Sequence, residues 1–184
     1  SSELLAVLLC AALCLVGSMN DMTSSSVSLE GKCLWQAQSL PVKPWQVLRA
    51  KLLVQVVITG VPMLLASVCA MLTVRPGLLA AVLLVVMPQV FVWLSAAFGL
   101  MMDLKRPNLT WTNEITVIKQ RLTVLITMLG GWVYAVALGL LYMMVLPGWD
   151  AGWYLLACTM LTAVLTALLL RWLRTRGAAL FAAL

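Results

Sequence analysis

The sequence predicts an all-α, polytopic membrane protein with five transmembrane helices. Of its 184 residues, 64% are hydrophobic and 10% are charged, whereas soluble chains carry about 25% charged residues. Five long runs contain no charge, and a spanning helix needs roughly 20 apolar residues. None of the runs alternates apolar with polar residues as a strand would, and in lipid a helix satisfies its own backbone. The runs are residues 4–20, 52–74, 76–102, 122–149 and 151–170.

The distribution of charge predicts how these spans are oriented. Eleven of the twelve basic residues fall in the segments 24–51 and 103–121 and after residue 170. With five spans these three segments share one side, which the positive-inside rule places in the cytoplasm. The other side holds Arg75, Glu3 and Asp150. The net charge of +6 is then explained by topology and lipid headgroups, without nucleic acid, and we expect a bacterial plasma (inner) membrane protein with its N-terminus outside.

Segment 24–51 is predicted to be a cytoplasmic loop that contains a short helix. It is polar, and it is the largest part of the chain expected to meet water. Ser24–Ser26 can cap a helix that begins at Val27, and Leu29, Cys33, Ala37 and Leu40 would share one face of it. Pro41 ends this helix, and Pro44 can begin the second span. Such a helix either docks in a groove of another protein or lies flat on the membrane.

The remaining elements follow from prolines, glycines and short connections. The second and third spans carry Pro62 and Pro88, where kinks are expected, and the short turn between residues 74 and 77 makes these spans antiparallel neighbours. In the second cytoplasmic loop, 103–121, Thr112 or Asn113 can cap a helix that continues into the fourth span. A turn at Pro147 and Gly148 leads into the fifth. We expect residues 1–184 to form a single transmembrane domain.

Few residues could carry chemistry. Histidine is absent and no Cys-x-x-Cys pair occurs, so we predict no metal, no cofactor and no catalytic residue. No charged residue lies at the centre of a run, which disfavours a proton-driven transporter. Gln55 and Gln89 are the polar side chains in the spans that cost most to bury. They are candidates to line a substrate path, or they form hydrogen bonds between helices.

Three groups of residues resemble the permease subunits of bacterial type-2 ATP-binding-cassette (ABC) exporters. In the first loop these are Ser28-Leu29-Glu30-Gly31-Lys32, then Ser39-Leu40-Pro41-Val42, then Leu48-Arg49-Ala50-Lys51-Leu52. The second loop, from Pro107-Asn108-Leu109-Thr110-Trp111-Thr112-Asn113-Glu114 to Ile118-Lys119-Gln120, is similar to one branch of these permeases. The ending, from Arg171-Trp172-Leu173 to Gly177 and Leu184, is similar to the same branch.

The resemblance implies an ATPase in a separate subunit, so that this chain is not itself an enzyme. It implies that a coupling helix near residues 29–40 sits in a cleft of that ATPase, with Leu29, Glu30, Gly31, Leu34, Leu40 and Pro41 as the coupling residues. It also implies six spans per half and a second permease half or copy. Because five spans are seen, the chain is expected to be the C-terminal portion of a larger permease.

A second hypothesis from a different class is a membrane anchor or assembly subunit that transports nothing and whose helix lies on lipid. A membrane enzyme is a third and weaker hypothesis, because catalytic groups are missing. The sequence leaves the transported substrate open.

Overall fold

The computed structural model describes residues 2–39, 41–110, 122–145 and 148–184, and every element in these ranges is helical. Five stretches are long and apolar enough to cross a membrane, which confirms the predicted class of fold. The elements are α1 (Ser2–Ser18), two 3₁₀ segments (Thr23–Ser25 and Ser28–Cys33), α2 (Leu34–Ser39), α3 (Pro44–Val74), α4 (Leu78–Lys105), α5 (Leu122–Val145), α6 (Ala151–Trp172), a π-helical turn (Leu173–Gly177) and α7 (Ala178–Ala183).

Helix α4 is the centre of the bundle. It packs most extensively against α6 and α3, and it also contacts α1 and α5. The predicted pairing of α3 with α4 is confirmed, and three residues connect the two helices. Arg75 ends α3 in the left-handed conformation (φ 46°), and its N–H donates to the carbonyl oxygen of Met71. Because α4 has neighbours on several sides, its position is fixed by most of the protein.

Two apolar clusters fill the two ends of the bundle. One joins α1, α4, α5 and α6 and includes Val7, Leu84, Met87, Tyr142 and Leu155. The other joins the loop, α2, α3, α4 and the C-terminal segment. We call it the inner cluster: Val27, Leu34, Leu48, Leu52, Ala96, Ala97, Leu100, Leu104, Leu173 and Phe181. The start of α3, the end of α4 and the C-terminal segment therefore meet at one end of the molecule.

Proline defines the start of α3 as predicted. Pro44 occupies the first turn, after an extended Lys43, and Gln46 Oε1 accepts a hydrogen bond from the Lys43 N–H at 3.0 Å.

Pro62 and Pro88 both lie inside continuous helices. Asp150 caps α6, since its Oδ1 accepts from the N–H of Gly152 at 2.9 Å.

The single helix predicted from Val27 to Leu40 is wrong in its first half. Ser28–Cys33 is a 3₁₀ segment interrupted at Gly31 (φ 50°), and α-helix begins only at Leu34. The backbone N–H groups of Val27 and Ser28 donate to the Asp103 carboxylate, which holds this stretch away from a regular helix. Gly31 reverses the chain because glycine adopts positive φ without steric cost. Leu40, the predicted last residue of this helix, lies outside the described residues, as do Thr112, Asn113 and Glu114.

Candidate functional site

The short helix α2 lies across one end of the bundle and presents two different faces. Leu34 is buried at 4% exposure, whereas Trp35 is 62% exposed. Gln36 and Ser39 are exposed as well. A six-residue helix with a buried leucine and an adjacent exposed tryptophan is attached to its own protein on one side and open on the other.

The buried side of α2 rests on the inner cluster. Leu34 packs in this cluster, which includes Leu48 of α3 and Leu104 of α4. Gln38 Nε2 donates to the carbonyl oxygen of Phe181 at 2.9 Å, which ties α2 to the C-terminal segment. Helix α2 therefore shares one apolar cluster with the start of α3 and the end of α4.

The six residues predicted to couple to an ATPase do not share one surface. Gly31 and Leu34 are buried, Leu29 and Glu30 are half-buried, and Pro41 is exposed. Leu40 lies outside the described residues. In this structure the open face of α2 instead carries Trp35, a residue that the sequence reasoning did not single out. The sequence could have indicated Trp35, because a tryptophan in a polar loop is a common anchor for a partner protein or a membrane interface.

An ion pair connects the same region to α3. Lys51 Nζ lies 2.6 Å from Glu30 Oε1, and it also donates to the carbonyl oxygen of Ser26 at 2.9 Å. The second Glu30 oxygen, Oε2, is buried without a hydrogen-bond partner. Glu30 is thus held by the bundle through one oxygen, while the other makes no hydrogen bond within the described part of the chain.

Residues 19–28, which we call the strap, connect α1 to the second 3₁₀ segment. Met19, Asn20 and Met22 are exposed, and the strap is buried at Thr23–Ser25, Val27 and Ser28. Four polar residues of the strap are buried: Thr23 at 1%, Ser24 at 0%, Ser25 at 4% and Ser28 at 0%, while Ser26 is half-buried. The expectation that segment 24–51 meets water is therefore wrong for Ser24, Ser25, Val27 and Ser28. Polarity misled the prediction, because these side chains satisfy hydrogen bonds within the protein rather than with water.

Three side chains on α3 hold the strap, and they are spaced four residues apart. Asn20 Nδ2 donates to Thr59 Oγ1 at 2.8 Å. Gln55 accepts from the N–H of Thr23 at 2.7 Å and donates to the carbonyl oxygen of Asn20 at 3.2 Å. Lys51 supplies the third contact, to Ser26. Since i, i+4 residues lie on one face of a helix, one face of α3 is built to hold the strap.

The opposite side of the strap lies against α4. Thr23 Oγ1 donates to the carbonyl oxygen of Ala96 at 2.8 Å. Gly99 leaves room for the strap, because a β-carbon there would lie 2.6 Å from Asp21 Oδ1 and 3.1 Å from the nitrogen of Ser24. Asp103, one turn further along α4, is the last of these contact points.

Asp103 is fully buried and binds the end of the strap. Its Oδ2 accepts from the N–H of Val27 at 2.7 Å and from that of Ser28 at 3.1 Å, and its Oδ1 accepts from Ser28 Oγ. Ser28 Oγ in turn accepts from the N–H of Asn108 at 3.0 Å. Hydrogen bonds to an ionised carboxylate are stronger than those between neutral groups. The aspartate therefore ties the strap to α4 and to the chain that follows α4.

The strap reaches well along α3. Thr59, which binds Asn20 of the strap, is fifteen residues beyond Pro44, or about 22 Å along α3 at 1.5 Å per residue. Irregular backbone within a membrane is stable only when protein covers it, and the strap is buried at Thr23–Ser25, Val27 and Ser28. The first apolar stretch, Ser2–Gly31, is not one continuous helix: α1 ends at Ser18, and the strap follows as non-α-helical chain.

The two glutamines proposed to line a substrate path differ in their surroundings. Gln55 is completely buried and its amide is occupied by the strap. Gln89 is half-buried, and its Nε2 is buried without a hydrogen-bond partner. Its Oε1 faces Gly60 of α3. In this structure Gln55 is thus a contact between elements, whereas Gln89 carries an amide group that the fold does not use.

An apolar groove of about 520 Å³ runs between α1 and α3. Neither glutamine lines it, and the polar side chains in its wall are Asn20 and Thr59, which bind each other. Among the described residues, no three His, Cys, Asp or Glu side chains come together to hold a metal ion.

The fold and these contacts define the class of the molecule, a polytopic helical membrane protein whose first apolar stretch, Ser2–Gly31, is not one continuous helix. Comparison with known proteins does not narrow this class, since no family model, no curated protein and no solved structure matches the chain.

Proposed function

We propose that this chain is a membrane-spanning permease component of an ATP-driven ABC exporter, in which a partner ATPase binds α2. The observation that carries the proposal is the position of α2. Its buried residue Leu34 enters the inner cluster, while Trp35 stays exposed beside it. A transmission element needs both properties, a rigid attachment to the spans and a free surface for the protein that moves it. The resemblance of the loop to exporter permeases supports the same assignment.

In this proposal, a movement of the ATPase reaches the spans through two contacts. The first is the inner cluster, which Leu34 shares with Leu48 at the start of α3 and Leu104 at the end of α4. The second is the Glu30–Lys51 ion pair. Because α4 also packs on α1, α5 and α6, a tilt of its inner end changes the packing of the whole bundle. Alternating access follows if this tilt opens the bundle on one side and closes it on the other.

The proposal places α2 in the cytoplasm of a bacterial plasma membrane. The basic residues near α2 and the C-terminal segment support this orientation, since Lys43, Arg49, Arg174 and Arg176 are all exposed at that end. The proposed partners are the ATPase, a second permease half or copy, and membrane lipids. ATP hydrolysis belongs to the ATPase, and this chain contributes no catalytic group.

The test is co-purification of an ABC ATPase with the tagged chain, with ATP turnover of the complex as the readout. We expect Trp35→Glu to weaken the complex by about 2 kcal/mol or more, roughly 30-fold, because a central tryptophan is a typical interface hot spot. Trp149→Glu is the matched control. Trp149 is 61% exposed, at the other end of the bundle, and its substitution should leave both readouts unchanged.

Two results would contradict the proposal. One is that no ABC ATPase co-purifies with the wild-type chain, and the other is that Trp35→Glu and Trp149→Glu behave alike. The anchor hypothesis makes a different prediction for the same residue. If Trp35→Cys in liposomes without any partner is shielded from water-soluble thiol reagents, α2 lies in the lipid headgroups and an anchor is favoured.

A further inference from the structure

The strap is held by more groups than a simple connection between two helices requires. Thr59, Gln55 and Lys51 hold it on α3, and Gly99 and Asp103 receive it on α4. The contacts of Gln55 with Thr23 and of Asp103 with Val27 and Ser28 are buried, while those of Thr59 and Lys51 are partly buried. A buried polar network whose hydrogen bonds are all made holds its elements in one arrangement. Removing a central group leaves its partners without hydrogen bonds and weakens that arrangement.

Asp103 is the central group of this network. Among the described residues, its two oxygens accept from the N–H groups of Val27 and Ser28 and from the Ser28 hydroxyl. An asparagine has the same shape but offers one oxygen and one NH₂ group, which cannot accept. If its oxygen keeps the Val27 and Ser28 N–H groups, the Ser28 hydroxyl loses its acceptor, and the hydrogen bonds that remain are no longer made to a carboxylate.

We infer that the strap is a latch that Asp103 keeps closed, and that its opening is the movement by which α2 acts on the first span. The strap is continuous with α2 through the 3₁₀ segment at Ser28–Cys33 and with α1 through Met19. On the α2 side the chain turns at Gly31, whose positive φ (50°) glycine adopts without steric cost. The transmission of α2 movement rests on the proposed function, whereas the latch is a property of this chain alone.

The latch is distinct from a merely structural cap because it can open while the rest of the bundle stays folded. Discontinuous spans whose irregular backbone is covered by protein are characteristic of transporters that change conformation. Here the groups that hold the strap are side chains on α3 and α4, while the contacts of α4 with α6 do not involve the strap. Loss of the Asp103 contacts should therefore expose residues 23–28 and leave the α4–α6 interface intact.

The test is thiol labelling of the full chain in liposomes, with N-ethylmaleimide as the probe and each cysteine quantified by mass spectrometry. Ser24→Cys reports on the strap, because Ser24 is fully buried and cysteine is close to serine in size. The native Cys33 is exposed and serves as the reactive control. Thr162→Cys, at a fully buried position of α6, reports on the rest of the bundle.

We expect Ser24→Cys to be protected in the otherwise unchanged chain while Cys33 reacts. Adding Asp103→Asn should increase labelling at residue 24 by roughly tenfold or more, since loss of one charge-assisted hydrogen bond shifts an equilibrium by about that factor. Labelling of Thr162→Cys should not change.

Three results would overturn the latch. Residue 24 could react as fast as Cys33 before Asp103 is changed, it could stay protected after the change, or labelling of Thr162→Cys could increase to the same extent.

A separate measurement concerns transmission: with the co-purified ATPase present, ATP and vanadate should alter labelling at residue 24. If the labelling results are as expected but no ATPase co-purifies, the proposed function is contradicted and the inference of a latch is still supported. If the ATPase is recovered and nucleotide leaves residue 24 unchanged, the transmission is wrong.

Discussion

At Gly99 the absence of a side chain lets the strap lie directly against α4. A β-carbon at this position would come within 2.6 Å of Asp21 Oδ1, 2.7 Å of Thr23 Oγ1 and 3.1 Å of the Ser24 nitrogen. We expect Gly99→Ala to lower the free energy of unfolding by about 1–3 kcal/mol, the usual cost of overpacking. Thermal or denaturant unfolding in detergent micelles measures this change.

Gly130→Ala is the control for Gly99→Ala. A β-carbon at residue 130 would meet only Phe98 Cε1, at an ordinary distance of 3.8 Å. Alanine in the interior of a helix is more stable than glycine by about 0.5–1 kcal/mol, so this variant should equal or exceed the wild type. Equal stability of the two variants would show that the strap does not lie against residue 99.

At the scale of elements, Gln55 and Gln89 occupy neighbouring helices but have opposite roles. Gln55→Leu removes the partners of the Thr23 N–H and the Asn20 carbonyl, and we expect it to destabilise the protein by about 2 kcal/mol or more. Gln89→Leu removes an amide nitrogen that has no partner, so its free energy of unfolding should stay within about 1 kcal/mol of the wild type. Unfolding of both variants in the same micelles measures the difference.

A reversed order of stability would contradict the contacts described for the two glutamines. A further outcome bears on function. If Gln89→Leu lowers ATP turnover of the proposed complex without a loss of stability, the predicted role of Gln89 in a substrate path is favoured.

The sequence predicted best those elements that a single physical cause determines. Five helices follow from the length of the apolar runs, because lipid leaves the backbone no other partner. The start of α3 follows from Pro44, whose ring suits the first helical turn. Both depend on local sequence alone.

The strap could not be predicted in the same way, because its polar residues are satisfied by distant partners. Asp103 lies 75 residues beyond Ser28, and nothing near either residue in the chain indicates their contact. A polar run after a hydrophobic one is normally a solvent-exposed loop. The regular spacing of Lys51, Gln55 and Thr59 was the available signal, since three polar residues four apart on a spanning helix mark a face that avoids lipid.

At the scale of the whole molecule, α4 connects the two ends of the bundle. Its first turns pack in the cluster that includes Leu84 and Met87, and its last turns pack in the inner cluster that includes Leu100 and Leu104. The strap and the C-terminal segment contact α4, and α2 shares the inner cluster with its last turns. One continuous helix therefore joins the region around α2 to the opposite end of the bundle.

The orientation of the whole molecule in its membrane can be tested with two cysteines. The excess of basic residues at the α2 end predicts that this end is cytoplasmic and that the connection between α3 and α4 is outside. Gly77→Cys should be tolerated, because a side chain there meets no atom within 4 Å, and we expect a membrane-impermeant thiol reagent to label it on intact cells. The native Cys33 is exposed at the α2 end and should be labelled only after permeabilisation.

A second external probe is Gly148→Cys, in the other predicted external turn. A side chain there also meets no atom within 4 Å, and its labelling should match that of Gly77→Cys. Labelling of Cys33 but not of residue 77 on intact cells would mean the opposite orientation, which would place α2 beyond the reach of any ATP-hydrolysing partner.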